Sequence, residues 1–216
     1  MEWCGALLAV MLVALQTTPL QGDGANECPE IKSQHDFDMD QLMGDWYAVE
    51  IVEHDKPVEE NTISTVIDVC PVLQLHREDD TIRLQWNENA GVLVYKFRQP
   101  KPHQPGFWDS AGSQNGSLVE RYNVRFSGTV QVMKAVSSHM VLTFCARGHQ
   151  KMFSVLMSRT KRLHHTDVRG VNNMLKRRGL PRGLVKEMCR GAAPAPRLAA
   201  AAASAAVLLV LLASRH

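Results

Sequence analysis

Apolar and polar residues alternate over short stretches between residues 46 and 157, a pattern that is typical of half-buried β-strands. The clearest stretch is Thr81–Trp86, whose two faces hold Ile82, Leu84 and Trp86 on one side and Thr81, Arg83 and Gln85 on the other. We expect the apolar face to point into the core. Other strands are predicted at Trp46–Val52, Ile63–Leu75, Val92–Phe97, Val124–Phe126, Thr129–Ala135, Met140–Ala146 and Lys151–Met157. Eight or so short strands predict a β-barrel or a β-sandwich.

Proline and glycine mark the interruptions of this pattern. Cys70-Pro71 lies inside Ile63–Leu75, and a proline there predicts an edge, a bulge or a break, because it donates no hydrogen bond to a neighbouring strand. The stretch Gln99–Gly116 is rich in proline and glycine and is expected to form a loop or an irregular hairpin.

One helix is predicted after the last strand. Thr166 is its expected N-cap and Gly179 its expected stop. Between them, apolar residues recur at helical spacing at Val168, Val171, Met174 and Leu175.

The first residues have the layout of a secretory signal, which we place at residues 1–22. Ala6–Leu15 is a ten-residue apolar run, too short to span a bilayer, and polar and small residues follow up to Gly24. Cleavage between Gln16 and Gly24 removes Cys4 and leaves four cysteines. An even number suits an oxidising compartment.

The C-terminal residues 191–216 favour a GPI-attachment signal, which is cut off and replaced by lipid. Small residues begin it, and we place the attachment at Gly191, with Ala192 as the alternative. Seventeen uncharged residues lie between Arg197 and Arg215. As a helix they measure about 26 Å at 1.5 Å per residue, marginal for a hydrocarbon core about 30 Å thick. The alternatives are a retained tail anchor and an alanine-rich disordered tail.

The chain carries a net charge of +2, but its charges are unevenly distributed. Residues 23–146 hold 10 Lys/Arg against 19 Asp/Glu, whereas residues 147–190 hold 12 against 2. We interpret this asymmetry as attraction between an acidic barrel and a basic C-terminal segment. The alternative is that the basic segment faces acidic headgroups or glycans beside a membrane anchor.

Gly44-Asp45-Trp46 opens the first predicted strand sixteen residues after Cys28, and Arg159 follows the last one. An indole and a guanidinium at these places can stack and close one end of a small barrel. This constellation resembles the lipocalins, and the cysteine layout resembles their apolipoprotein D and Lazarillo branch. The resemblance covers residues 28–190 as one lipocalin domain. It implies an all-β fold, an eight-stranded up-and-down antiparallel barrel with one C-terminal α-helix.

The four retained cysteines allow three pairings, of which the resemblance favours Cys28–Cys145 and Cys70–Cys189. These bonds would tie the N-terminal segment and the C-terminal tail to the barrel wall. A free reactive cysteine, as in one lipocalin branch that is an isomerase, is the competing interpretation, and an even count outside the cell disfavours it. The family's middle motif, usually Thr-Asp-Tyr, has no copy here. Met133-Lys134-Ala135 stands roughly in its place, so no receptor contact is inferred from the family.

A barrel of about eight strands can enclose one small ligand, so the resemblance implies a carrier of a fatty acid, sterol, retinoid or pigment. The candidate ligand contacts are Ile82, Leu84, Trp86, Tyr95, Phe97, Phe126, Phe144 and Phe153; plain core packing is the alternative role. Lys96, Arg98 and Arg121 are candidates for a carboxylate at the mouth, with solvated surface charge as the alternative. The competing function is a cell-surface adhesion or signalling protein with a filled barrel.

The sequence offers no catalytic set. It contains no glycine-rich phosphate loop, HExxH motif or Gly-x-Ser-x-Gly motif. His164-His165 lacks metal-ligand spacing, because adjacent residues of a helix or strand point apart. We expect no enzyme, no cofactor, no metal and no nucleic-acid partner. Asn115-Gly116-Ser117 is the only Asn-x-Ser/Thr sequon, a predicted glycosylation site.

Overall fold

The computed structural model describes residues 28–29, 31–54, 64–66, 69–119, 126–148, 151–180 and 183–190. The predicted signal, the GPI-attachment signal with Gly191, and Arg121 lie outside the described residues. The helices are α1 (Met39–Leu42) and α2 (His165–Arg177). The strands are β1 (Gly44–Glu53), β2 (Ser64–Val66), β3 (Val72–Glu78), β4 (Thr81–Glu88), β5 (Gly91–Arg98), β6 (Phe107–Ser110), β7 (Gly128–Ala135), β8 (His139–Ala146), β9 (Met152–Ser158) and β10 (Leu184–Glu187).

Eight of these strands close into a barrel in the order β1-β3-β4-β5-β6-β7-β8-β9, and β9 pairs with β1. Every pair within the barrel is antiparallel. β10 pairs with the second half of β1, and β2 joins β10 in parallel. The architecture is the up-and-down barrel with one C-terminal helix that the resemblance implies. We call the end where β1 begins, beside α1, the closed end, and the end where β1 finishes the open end.

A β-bulge in β1 determines which of its side chains face the interior. The register with β9 shifts between Ala48 and Glu50, which inserts one extra residue. Trp46 faces inward before the bulge and Ile51 faces inward after it. Glu50 therefore lies buried on the outer wall, where Asn172 Nδ2 of α2 donates a hydrogen bond to its Oε1 at 3.0 Å. Unbroken alternation from Trp46 would have placed this carboxylate inside the barrel.

α2 covers the outer face of β7, β8 and β9. Its predicted apolar stripe is confirmed: Val171 and Leu175 are buried in a cluster with Met133, Val141 and Leu156, and Val168 and Met174 pack against it. Met133, in the place of the missing family motif, is thus a core residue under this helix.

The ends of α2 were predicted only in part. The N-cap is His164 and not Thr166, because the His164 carbonyl accepts hydrogen bonds from the backbone N–H groups of Asp167 and Val168. Gly179 ends the helix as predicted. It follows the C-cap Arg178 with φ +82°, a conformation that favours glycine.

Two predicted segments differ from the structure. Ile63–Leu75 is not one strand: β2 and β3 are separate, and Pro71 lies between them with its carbonyl accepting a hydrogen bond from the Ala48 backbone N–H at 3.1 Å. Gln99–Gly116 is not only a loop, because it contains β6 and an isolated bridge between Val94 and Asn115. The prolines and glycines on either side of this short strand obscure its alternation.

Two disulfides join the ends of the domain to the barrel, with the pairing that the resemblance favours: Cys28–Cys145 and Cys70–Cys189. The segment after Cys28 runs along the outside of β7. There Gln131 Oε1 accepts from the Ile31 backbone N–H at 3.0 Å, and the Gln34 backbone N–H donates to the Val132 carbonyl at 2.8 Å. The segment then leads to α1 at the closed end.

Candidate functional site

The closed end is sealed by an arginine stacked on a tryptophan. Arg159 Cζ lies 3.5 Å from the centroid of the Trp46 ring. The guanidinium also donates hydrogen bonds to three carbonyls, those of Asp45 at 2.8 Å, Gln41 at 2.7 Å and Met43 at 2.9 Å. Trp46 itself is fully buried, and its Nε1 donates to the Leu42 carbonyl at 2.8 Å. The predicted closing pair therefore fixes α1 over the barrel and leaves no entrance here.

Gly44 makes this closure possible. Its φ is +90°, and a Cβ at this position would lie 3.5 Å from Arg159 Nη1. A positive φ strains any residue that carries a Cβ. Glycine thus lets the chain turn from α1 into β1 directly beneath the guanidinium.

The burial of inward-facing residues falls from the closed end toward the open end. Trp46, Leu75 and Met140 at the closed end have no exposed surface, whereas Leu93 and Trp86 toward the open end retain 8 % and 9 %. Ile51, Tyr95 and Phe153 are only half-buried although they pack against the core. We call this open-end part of the interior the cup. It comprises Ile51, Trp86, Leu93, Tyr95, Phe126, Phe153 and Met188, with the charged Glu53, Glu88 and Lys186.

A continuous group of aromatic rings forms the floor of the cup. Phe144 stacks on Phe153 with ring centroids 4.9 Å apart, and Phe126 meets Phe144 edge-on at 5.7 Å. Phe97, deeper in the barrel, contacts Trp108 at 6.3 Å between ring centroids. Rings at these separations attract one another beyond their area burial. They fill the interior below the cup.

Charged side chains stand at the rim of the cup. Glu53 is paired with Phe153 across the β1–β9 ladder and Lys186 with Ile51 across the β1–β10 ladder, so both project on the inner face. Lys186 Nζ forms an ion pair with Glu53 Oε1. Glu88 continues the inward alternation of β4, and its Oε1 accepts a hydrogen bond from Trp86 Nε1 at 2.7 Å.

Among the described residues, Tyr95 is the one tyrosine that lines the cup, and it is half-buried. Its ring stacks on Phe97 with centroids 6.0 Å apart and meets Phe126 edge-on at 5.8 Å. Burial, and secondly the negative charge of Glu88, raise the pKa of the Tyr95 hydroxyl well above its usual value. The hydroxyl is therefore neutral and able to donate a hydrogen bond at physiological pH.

The structure places all eight predicted ligand contacts in the interior, but at different depths. Ile82, Leu84 and Phe97 are buried below the cup. Phe144 forms its floor, while Trp86, Tyr95, Phe126 and Phe153 line it. Contact of any of them with a ligand stays a prediction.

Lys96 and Arg98 are not at the mouth. Both are exposed on the outside of β5, and Lys96 Nζ lies 3.2 Å from Glu78 Oε2. They are solvated surface charges, which was the alternative to a carboxylate site. Their side chains point outward because they alternate along β5 with the inward-facing Tyr95 and Phe97.

Sequence reasoning missed several interior residues. Trp108 belongs to the strand hidden among prolines. Glu88 could have been found by extending the alternation of β4 by two residues. Lys186 and Met188 gave no local signal, because only the long-range pairing of β10 with β1 brings them to the inner face.

A separate groove of about 1050 Å³ lies outside the barrel, between α2 and the β1–β10 edge. Its walls carry the cations Lys161, Arg162, Arg169, Lys176 and Arg190, with Glu50 and Glu187 opposite. Val49, Leu163, Val168 and Val185 also line this groove. We place the candidate ligand site in the cup because the predicted ligand contacts lie in the barrel interior.

The interpretation that the acidic barrel attracts its basic C-terminal segment has partial support. Arg147 Nη2 lies 2.7 Å from Asp109 Oδ1, and Lys186 pairs with Glu53. Arg159 and Arg178 instead donate to backbone carbonyls. None of the described residues forms an ion pair with Arg169 or Lys176 on the exposed face of α2.

Asn115 is exposed on the outer surface, in the bridge with Val94. Its Oδ1 accepts a hydrogen bond from the Gly116 backbone N–H at 2.6 Å. An exposed asparagine in this position is compatible with the predicted glycosylation, which stays a prediction.

No protein-family model matches the chain, and no curated protein matches it. A solved structure described as a biogenic amine-binding protein, in its selenomethionine derivative, matches with a TM-score of 0.52 and 15 % sequence identity. The match covers 72 % of this chain and 82 % of that chain. At this identity the likeness concerns the fold alone. The fold is a closed, eight-stranded antiparallel barrel with one C-terminal helix, which is lipocalin-like.

Within the part of the chain that the structure describes, no helix has both the length and the apolar character needed to cross a bilayer. No three His, Cys, Asp or Glu side chains there are grouped so as to hold a metal ion. The absence of a cofactor stays a prediction.

Proposed function

We propose that this chain is an extracellular, membrane-tethered lipocalin that binds and carries one small hydrophobic ligand in the cup, and that it is not an enzyme. The burial gradient carries the proposal: Trp46, Leu75 and Met140 fill the closed end, and apolar walls become accessible only toward the open end. The likeness of the cysteine layout to the apolipoprotein D and Lazarillo branch supports the same function. A fatty acid, sterol, retinoid or pigment is the candidate ligand.

Burial of apolar surface supplies the affinity. A ligand with about 300 Å² of apolar surface gains about 7 kcal/mol at 25 cal/mol per Å². Lost translational and rotational freedom subtract from this figure. The gross figure corresponds to a Kd of about 10 μM, which is therefore an upper limit on the affinity for a ligand of this size, approached only when the walls are already in place.

The tether is proposed from the sequence of residues 191–216 and is supported by the adjoining structure. Cys189 is bonded to Cys70 beside the barrel wall, and Arg190 is the next residue. A lipid attached at Gly191 would hold this side of the barrel near the membrane. Arg190 also lines the cationic groove, so this groove would face the headgroups, as the alternative interpretation of the charge asymmetry requires.

Ligand binding is tested by titrating the purified protein with retinol, a long-chain fatty acid and cholesterol while following tryptophan emission, since Trp86 lies in the cup. We expect saturation at one ligand per protein. Ile51→Trp should fill the cup and weaken binding at least tenfold. Ile31→Trp, on the outside of the barrel, is the matched control. No saturable binding by any ligand, or equal binding by a folded Ile51→Trp protein, contradicts the proposal.

The second candidate function is a cell-surface adhesion or signalling protein. The ring cluster of Phe97, Trp108 and Phe144 favours it, because these side chains occupy interior space without any ligand. If the protein binds no fatty acid, sterol, retinoid or tetrapyrrole, the adhesion or signalling function is favoured.

The tether is tested on intact cells with phosphatidylinositol-specific phospholipase C, which should release the protein. Retention after treatment, together with peptides from Leu198–Ala213 in the retained protein, indicates a tail anchor instead.

A further inference from the structure

Tyr95 presents a polar group to an otherwise apolar part of the cup. Its position in β5 is fixed by its neighbours: Leu93 and Phe97 flank it on the inner face, and Leu84 pairs with it across the β4–β5 ladder. Its ring is held in place by Phe97 and Phe126. The hydroxyl is the one polar group of the side chain and can form a hydrogen bond with a ligand.

The Tyr95 hydroxyl has no hydrogen-bond partner among the described residues, unlike the other ring donors of the interior. Trp46 Nε1 donates to the Leu42 carbonyl, Trp86 Nε1 to Glu88, and Trp108 Nε1 to the Pro105 carbonyl at 2.8 Å. The side chain is half-buried, so the hydroxyl is open to a partner from the cup. A ligand that covers Tyr95 must either accept this hydrogen bond or leave the hydroxyl desolvated.

The environment also limits which acceptor fits. Glu88 projects into the same cup from β4, where its Oε1 accepts a hydrogen bond from Trp86 Nε1 at 2.7 Å, and after burial its negative charge is the second cause of the raised pKa of Tyr95. The same field opposes a negatively charged acceptor at this place. A carboxylate would therefore be bound less favourably than a neutral oxygen of similar size.

We infer that the cup selects ligands that place a neutral oxygen acceptor, such as a ketone, aldehyde or alcohol, against the Tyr95 hydroxyl. This inference rests on the proposed function. It gives Tyr95 a specificity-determining role and disfavours both pure hydrocarbons and fatty-acid carboxylates.

The test uses three naphthalenes of the same shape, titrated into the purified full-length protein by calorimetry. They are 2-acetylnaphthalene, a neutral ketone; 2-ethylnaphthalene, a hydrocarbon; and 2-naphthoate, a carboxylate. A neutral hydrogen bond contributes about 0.5–1.5 kcal/mol net, which corresponds to about 2- to 12-fold in affinity. We expect the ketone to bind tighter than the hydrocarbon by this factor, and the carboxylate to bind weakest.

Tyr95→Phe is the decisive variant, because it keeps the ring and removes the hydroxyl. The ketone should lose its advantage over the hydrocarbon, while the melting temperature of the free protein stays the same, since no intramolecular hydrogen bond is lost. Tyr47→Phe is the matched control: Tyr47 is a half-buried tyrosine near the closed end, and its replacement should leave all three affinities unchanged.

Glu88→Gln tests the limit on charge. A glutamine Oε1 can still accept from Trp86 Nε1, so the rim is retained. The affinity for 2-naphthoate should rise relative to that for the ketone.

The outcomes separate this inference from the proposed function. Equal binding of the ketone and the hydrocarbon by the wild-type protein overturns the inference and leaves the proposed function intact. The same holds if the ketone keeps its advantage in Tyr95→Phe, or if the carboxylate binds tightest. No binding of any naphthalene, retinoid, sterol or fatty acid overturns both. The relative affinities of the three naphthalenes for the wild-type protein test the inference by themselves, even if a variant fails to fold.

Discussion

Replacing Arg159 with alanine should destabilise the domain without weakening ligand binding. The guanidinium stacks on Trp46 and donates to the carbonyls of Gln41, Met43 and Asp45, so it holds α1 and the start of β1 together. The cup lies at the other end of the barrel. Loss of the arginine therefore loosens the closed end, while the walls that would contact a ligand remain in place.

The magnitude follows from the contacts that are lost. A cation stacked on an indole at a partly exposed site contributes about 0.5–1 kcal/mol. The hydrogen bonds to Gln41 and Asp45 are exposed, so water replaces them at little cost, but the Met43 carbonyl is part-buried. Together these bonds contribute about 1–2 kcal/mol. We expect a loss of about 1.5–3 kcal/mol, or about 3–12 °C in melting temperature for a domain of this size.

Urea unfolding followed by tryptophan emission, with the disulfides intact, measures this loss. Arg159→Lys should be intermediate, since a lysine keeps the charge but not the planar fork that reaches three carbonyls. Arg169→Ala, an exposed arginine of α2, is the control for charge and should change stability by less than about 0.5 kcal/mol. The reasoning is refuted if Arg159→Ala is as stable as the wild type, or if it loses ligand affinity at unchanged stability.

Four further outcomes are expected. Replacing Cys70 and Cys189 together by serine should lower the free energy of unfolding by up to about 4–5 kcal/mol, because a long loop is opened; non-reducing peptide mapping of the wild-type protein should recover both disulfides. Asn115→Gln should abolish any mobility shift caused by peptide N-glycosidase. Leu84→Glu should prevent folding, because it places an unpaired carboxylate where no surface is exposed; circular dichroism checks this. Tyr95 should ionise only above the usual tyrosine pKa of about 10. Since its folded pKa is raised, stability is complete below pH 10 and falls as the pH rises further, a loss that Tyr95→Phe should remove.

Short-range patterns made most of the barrel predictable. Alternation in Thr81–Trp86 correctly assigned the inner face of β4, because a half-buried strand must place its apolar side chains on the core side. The helical stripe of α2 was predictable for the same reason. The closing pair of Trp46 and Arg159 was predicted from the ability of an indole and a guanidinium to stack at these places, and in the structure the two side chains do stack.

The exact bounds and the interruptions of the strands were less predictable. β6 is short, and the prolines around it remove the local signal. The bulge in β1 moves Glu50 to the outer wall, although alternation alone would have turned this carboxylate inward. A bulge depends on how two distant strands align, and the sequence of β1 alone does not determine that alignment.

The sequence by itself determined the class of fold, the inner face of its clearest strand and the kinds of residue that line the interior. Only the tertiary structure decided how far each of these residues lies from the open end of the barrel, and therefore which of them line the cup. Depth depends on strand register and on the pairing of β10 with β1, which brings Lys186 to the rim from 133 positions beyond Glu53. Such contacts join residues far apart in the chain, so local periodicity carries no information about them.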